Sequence, residues 1–320
     1  MGNGIEITNV KDFCLRDIFD CGQCFRWENV KDGAKAVNIA GANFHGNHSL
    51  EGELGEEWEI WRGIAGNRVA TISYNCYSEL LRIEEDGAEV EKQEELFKFW
   101  RRYFDLDRDY GKVKRMLVGE PGAEGYDLTM AKAIEAGEGI RILKQDSWET
   151  LLSFIISQNN NIPRIKKCIN SLAETLGEEV ADGYYALPSP EVLARASEED
   201  LAMCRLGYRA KYLIETARQV MEGVSLKDLE RDDISSAEAT ERLLGFCGVG
   251  PIVANCIALF GLAKIDSFPI DVWMRRVMNR LYGLDEKNTK AMMEYAQEHF
   301  APYGGIAQQY LFNYITKHKE

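Results

Sequence analysis

Residues 241–280 read ERLLGFCGVGPIVANCIALFGLAKIDSFPIDVWMRRVMNR, and their punctuation decides the architecture around them. An apolar helical run ends at Gly245-Phe246-Cys247, Gly248-Val249-Gly250 follows, and Pro251 opens a second apolar run. Proline suits the first turn of a helix, where its missing N–H is not needed. The pattern over 241–262 is two helices joined by a tight turn, the glycines permitting positive φ and close approach of another backbone. The turn and the start of the second helix present N–H groups that suit a phosphate without reading a base. Gly248, Val249, Gly250 and Val253 are the candidates for that role. Pro269-Ile270-Asp271 then precedes Val272-Trp273-Met274-Arg275-Arg276, which places Asp271 at or near another helix N-terminus. A carboxylate is stabilised there by the helix dipole. Asp271 is close enough along the chain to share a cleft with the glycine turn. An ordinary helical corner with a capping aspartate reads the same way at this level.

Working outward, the second half of the chain has helical periodicity. TMAKAIEAGEGIRIL, SWETLLSFIISQNNN, IPRIKKCINSLAETLG, EDLAMCRL, AKYLIETARQVMEG and SAEATERLLGF carry apolar residues at i, i+3 and i+4. The first hundred residues differ. FRWENV, KAVNIAG and RVATISYNC alternate between glycine-, asparagine- and aspartate-rich breaks and read as strands, with an amphipathic helix at 94–104 closing the unit. The expected class is α+β: an antiparallel β domain over 1–105, then an all-helical region that holds the hairpin and the Asp271 loop. A chain of 320 residues is long enough for about two domains.

Composition narrows the function. No run of about 18 apolar residues is present to cross a membrane, and MGNGIEITNV lacks the basic and apolar parts of a signal peptide. A cytoplasmic protein is expected, associated with the nucleoid if the source is bacterial. Eight scattered cysteines do not make a disulfide framework, and Cys21-x-x-Cys24 has no second pair to complete a zinc set, so no metal site is expected. The formal charge of −14 by itself argues against nucleic acid, since phosphate neutralisation is the main source of DNA affinity. The acid is uneven, however. Much of it lies in EGELGEEWE and EEDGAEVEKQEE, whereas Arg164-Ile-Lys-Lys167, Arg209-Ala-Lys211 and Arg275-Arg276 gather base in the second half. Local charge must decide.

LLGFCGVG-PIVAN followed by FPID resembles the helix-hairpin-helix, Gly/Pro-rich loop and aspartate of the DNA base-excision glycosylase superfamily. CGQCFRW at 21–27, YFDLD at 103–107, SQNNNIPRI at 157–165, LGYRAKY at 206–212 and AQQYLF at 307–312 narrow the resemblance to its 8-oxoguanine DNA glycosylase/AP lyase family. The motifs occur in family order along nearly the whole chain. The resemblance implies a helical region in two parts, 106–150 with 213–320 carrying the hairpin, and 151–212 contacting the strand opposite the lesion. It implies a monomer acting on double-stranded DNA with 8-oxoguanine opposite cytosine, by base flipping and cleavage of the N-glycosidic bond. No cofactor is implied beyond a monovalent cation that hairpin carbonyls could hold.

The same resemblance assigns roles. Gly22 matches the glycine whose carbonyl accepts the N7 proton that 8-oxoguanine carries and guanine lacks. An unpaired buried group opposite guanine costs about 1–3 kcal/mol. Cys256 and Phe312 match the two faces that sandwich the flipped base, and Gln308 matches the reader of its Watson–Crick edge. Asn159 matches the residue that fills the vacated stack, Arg164 and Arg209 the readers of the orphaned cytosine, and Tyr208 the wedge in the opposite strand. Asp271 matches the carboxylate that stabilises positive charge on the sugar as the bond breaks.

The sequence departs from the family at Ile252, which stands where bifunctional members carry the lysine that forms a Schiff base with the sugar. Isoleucine has no nucleophile, so the basis for the lyase half is missing. Three accounts are open: an inactivated form made to hold DNA uncut, a monofunctional glycosylase in which Asp271 activates water, and a natural damage binder without catalysis. A smaller departure is Trp273, where some relatives have a phosphate-contacting histidine.

Overall fold

The structure, a computed structural model, describes residues 4–30, 58–87 and 93–318. The strand expected at KAVNIAG, 35–41, lies outside them. Strands β1 (Gly4–Ile7), β2 (Trp27–Asn29), β3 (Trp58–Ala65), β4 (Arg68–Asn75) and β5 (Leu80–Glu85) form one antiparallel sheet in the order β1-β5-β4-β3-β2. In β4 Ile72 and Tyr74 alternate with Thr71, Ser73 and Asn75, and all are buried because both faces of this central strand are covered. Helices α1 (Leu15–Phe19) and α2 (Gln93–Tyr103) complete an aromatic core around the sheet. Phe19 stacks on Trp27 at 4.6 Å, and the Trp27 indole donates to the Tyr103 hydroxyl at 2.9 Å.

The helical part begins with α3 (Tyr110–Val118), α4 (Leu128–Ala136), α5 (Ser147–Ser157) and α6 (Ile162–Leu176). Asp109, Asp127, Asp146 and Asn161 cap them in turn, each side chain accepting a backbone N–H of the first turn. After α7 (Pro190–Arg195) come α8 (Arg209–Met221), α9 (Leu226–Leu229), α10 (Ser236–Leu243), α11 (Pro251–Phe260), α12 (Val272–Tyr282), α13 (Thr289–Phe300) and α14 (Gly304–Lys317). One apolar cluster unites them.

Three stretches differ from the sequence reading. TMAKAIEAGEGIRIL is helical only to Ala136. Beyond it Gly137 and Gly139 pass so close to their neighbours that a Cβ would stand 2.5 Å from Asn313 Nδ2 and 2.2 Å from Cys14 Cβ. EDLAMCRL forms one 3-10 turn, Ala202–Cys204, broken by positive φ at Arg205 (54°) and Gly207 (61°). Within the region expected to be wholly helical, β6 (Glu179–Ala181) pairs with β7 (Tyr184–Tyr185) across Asp182-Gly183, a favoured tight-turn dipeptide.

The extended segment after α4 joins the two parts. Leu143 buries into the core of the sheet and Phe25 into that of the helices. Buried Arg141 donates to the carbonyls of Lys11, Asp12 and Asp105 at 2.8–2.9 Å and lies over the Tyr110 ring at 4.4 Å. This junction sets where the loop bearing Gly22 stands relative to the helices.

Candidate active site

The hairpin between α10 and α11 is held from behind by α8. The Gln219 amide donates to the Gly245 carbonyl and accepts the Cys247 N–H, both at 2.8 Å. The Thr216 hydroxyl donates to the Cys247 carbonyl at 3.0 Å, and Gln158 donates to that of Gly248 at 2.9 Å. The two glycines of the turn are not alike. Gly248 has φ +78°, and a Cβ there would stand 2.4 Å from the Tyr212 ring. Gly250 is extended, with nothing among the described residues within 4 Å of the place a Cβ would take. Val249 spends its N–H on the Phe246 carbonyl at 3.1 Å and buries its side chain, so it serves the turn rather than offering a free donor. Among the described residues, the N–H groups of Gly248, Gly250, Ile252 and Val253 have no partner, and the last three precede the first intrahelical bond of α11.

Asp271 is the N-cap of α12, its Oδ1 accepting the Met274 N–H at 2.7 Å. Burial pushes its carboxyl above the ordinary aspartate range, against the opposing pull of the first-turn N–H groups and of Arg275. The Cys256 thiol is pushed up by burial and further by the charge of Asp271, which places the two in each other's field. Ile252 precedes Cys256 by one turn on the same face of α11 and keeps 43 % of its surface exposed. An apolar side chain therefore borders the Cys256–Asp271 pair at the open end of the helix. Trp273 lies under the Arg276 guanidinium at 5.1 Å.

Gly22 sits in the loop between α1 and β2 with φ +83°, and a Cβ there would stand 3.7 Å from the Phe312 ring of α14. Residues from opposite ends of the chain thus meet. Neighbouring Gln23 anchors the loop: its amide donates to the carbonyls of Ile18 (2.9 Å) and Arg141 (2.8 Å). Its oxygen accepts the Leu143 N–H at 2.8 Å, and its own carbonyl accepts from Gln145 at 2.7 Å. The thiols of Cys21 and Cys24 donate to different carbonyls, Ile18 and Phe19, and burial raises both. Gln308, buried on α14, takes a hydrogen bond on its oxygen from Gln309 at 2.8 Å, and the oxygen of Gln309 is buried without a partner among the described residues.

A second group gathers where α5 ends and α8 begins. Asn159, at φ +47°, donates to the Tyr208 hydroxyl at 3.3 Å. Arg209 lies over the Tyr208 ring at 4.6 Å and is buried. It donates to the carbonyls of Gln158 twice, Asn159 and Leu206, using four of the five N–H groups a guanidinium has. Arg209 as folded thus braces the Asn159 turn. Arg164 is exposed on the first turn of α6 and reaches the Arg205 carbonyl at 3.4 Å.

All the candidate residues lie on the described chain, in three local groups: the hairpin with Asp271 and Cys256, the Gly22–Phe312 pocket with Gln308, and the Asn159–Tyr208–Arg209–Arg164 group. Sequence reading passed over the glutamines that hold them, Gln23, Gln158, Gln219 and Gln309, and over Thr216. Gln23, Gln158 and Gln309 lie inside quoted motifs, where a buried amide among small or apolar neighbours is the available signal.

Comparison with known proteins agrees with this arrangement. Residues 6–151 match the family model for the 8-oxoguanine DNA glycosylase N-terminal domain, and residues 152–302 match the HhH-GPD superfamily of base excision DNA repair proteins. The N-glycosylase/DNA lyase of Saccharomyces cerevisiae is 32 % identical over 292 residues, covering 86 % of this chain and 70 % of its own length. The Arabidopsis thaliana N-glycosylase/DNA lyase OGG1 is 29 % identical, covering 92 % and 75 %. The Clostridium acetobutylicum 8-oxoguanine glycosylase/lyase, solved with double-stranded DNA containing cytosine opposite 8-oxoguanine, is 37 % identical with a TM-score of 0.81, over 99 % of this chain and 96 % of that one. With both family models laid end to end along the chain and the β domain's glycine loop brought against the last helix, this protein belongs to the 8-oxoguanine DNA glycosylase family of helix-hairpin-helix base-excision repair enzymes.

Proposed function

We propose that the protein excises 8-oxoguanine opposite cytosine from duplex DNA and lacks the strand-cleaving lyase step. The observation that carries this is the face of α11: Ile252 lies one turn from Cys256, which shares the field of Asp271. The hairpin N–H groups of Gly248, Gly250, Ile252 and Val253 hold a phosphate, and the flipped base enters between Cys256 and Phe312. The Gly22 carbonyl accepts the N7 proton, and Gln308 meets the Watson–Crick edge. Asn159 fills the gap in the stack, Tyr208 wedges the opposite strand, and Arg164 meets the unpaired cytosine. Arg209 joins it with its remaining N–H or after releasing a carbonyl.

Cleavage of the C1′–N9 bond leaves positive charge on the sugar, which the Asp271 carboxylate stabilises. Water bonds to C1′ and gives a proton to Asp271, and the departing base takes a proton from solvent. No amine at 252 competes with that water, so no Schiff base forms and the strand stays intact.

The test is a labelled duplex with one 8-oxoguanine opposite cytosine, incubated with protein and divided. Breaks only in the alkali-heated half are expected. Breaks without alkali would overturn the loss of the lyase step. No break in either half, with a retained gel shift, would make the chain a damage binder, the reading that the missing nucleophile also favours.

A further inference from the structure

We propose that Arg205 is an additional DNA contact, binding a backbone phosphate of the strand opposite the lesion. The inference rests on the reading of the Asn159–Tyr208–Arg209–Arg164 group as the opposite-strand surface. Arg205 ends the 3-10 turn Ala202–Cys204 at φ +54°, ψ +35°, in the left-handed region. An L residue is disfavoured there, and glycine is at ease. The left-handed turn has a structural task, which is to aim the Arg205 carbonyl inward. That carbonyl accepts from Arg164 Nη2 at 3.4 Å and from the Cys168 thiol at 3.8 Å.

Glycine would do the same with less strain, so the backbone gives no reason for an arginine. The side chain must supply one. Arg205 is exposed, and its guanidinium makes no hydrogen bond, ion pair or ring contact among the described residues. Asp200, the nearest carboxylate before it in sequence, turns back to Ser197, accepting its N–H at 2.8 Å and its hydroxyl at 2.9 Å. A strained residue with an unspent cation, three positions before Tyr208 and tethered to Arg164, is accounted for by an anion from outside the chain. Exposed Lys167, one turn after Arg164 on α6, and exposed Lys211, on the first turn of α8, are also without ion pairs among the described residues of this acidic protein. The guanidinium shares no contact with the Asn159–Tyr208–Arg209 group that bases would meet, so the phosphate backbone is its target rather than a base.

The test is a binding titration by fluorescence anisotropy at 50–200 mM salt. The duplex carries a tetrahydrofuran abasic analogue opposite cytosine or adenine, and wild type is compared with Arg205→Gly, which keeps the left-handed turn and removes only the side chain. For Arg205→Gly the slope of log affinity against log salt should flatten by about 0.9. Affinity should fall roughly 3–10-fold, by the same factor for both opposite bases, while Tm holds or rises. Arg164→Ala, in contrast, should lose the preference for cytosine. An unchanged salt slope in Arg205→Gly, or a loss confined to the cytosine duplex, overturns the phosphate contact. A wild-type protein that binds neither duplex would overturn the opposite-strand reading itself, and the contact with it.

Discussion

In the proposed reaction Asp271 is charged in a place that resists charge. Burial holds its carboxyl above the usual aspartate range, so the folded state favours the protonated form more than the unfolded chain does. That stability is complete below the ordinary aspartate value of about 3.9 and is lost as pH rises through the raised value. At pH 7.5 the carboxylate is therefore a liability. Asp271→Asn keeps a good helix cap and should raise Tm by about 2 °C at pH 7.5, with no difference at pH 3.5. The rate of base release should fall roughly 10²–10⁴-fold. In the unsubstituted protein, release should decline as pH drops, with a midpoint above the ordinary aspartate value. A loss of stability in Asp271→Asn at pH 7.5 would contradict the burial account.

Ile252 supplies the complementary prediction. Ile252→Lys places an amine one turn from Cys256 and in reach of the Asp271 field, and borohydride should then trap a covalent adduct with lesion DNA. A folded variant that binds but never traps would show that the position is not the nucleophile's. Residue types with a fixed structural task, such as the capping aspartate after Pro269-Ile270, were legible in sequence because helix ends restrict them. The glutamines around them were not. Their partners are carbonyls distant in sequence, as with Gln23 and Arg141 or Gln158 and Gly248, and no local pattern announces such a pairing.

Among the elements, the hairpin shows how far punctuation can be read. Pro251 as the first residue of α11 and Asp271 as the cap of α12 followed from the stereochemistry of helix ends. The sequence treats the two glycines together and the structure separates them, because their difference depends on Tyr212 of a separate helix. Gly248→Ala should cost about 2–4 kcal/mol in denaturant unfolding, combining a left-handed β-carbon with a clash against that ring. Gly250→Ala should leave stability within about 0.5 kcal/mol. It should still weaken duplex binding several-fold, since the new methyl fills open space in front of the N–H donors. Equal stability losses in the two variants would refute this division of labour. The same dependence on distant neighbours explains the helix that stopped early: Ala136 is followed by glycines chosen for the nearness of Cys14 and Asn313. Periodicity in TMAKAIEAGEGIRIL carries no trace of that.

For the molecule as a whole, net charge was the least informative quantity, because acid and base are segregated along the chain. The arrangement that matters is the junction, where a sheet-domain loop is fitted to helices far away in sequence. Gln23 carries much of that fit, with four hydrogen bonds joining the Gly22 loop to α1 and to the 141–145 segment. Gln23→Leu removes the amide and leaves the Leu143 N–H and the Ile18 and Arg141 carbonyls without this partner, at a cost of about 1–3 kcal/mol for each group left unsatisfied. Relaxation should reduce the total, so a loss of about 3 kcal/mol in stability is expected. The functional consequence separates the junction from the hairpin. Affinity for a duplex carrying an abasic analogue, which has no base to read, should stay within about threefold, because the hairpin N–H groups proposed to hold phosphate are untouched. Preference for 8-oxoguanine over guanine in excision should fall about tenfold, as a displaced Gly22 carbonyl no longer meets the N7 proton. If discrimination survives in a folded Gln23→Leu protein, the pocket is held by the Phe312 side alone, and the junction contributes stability without specificity.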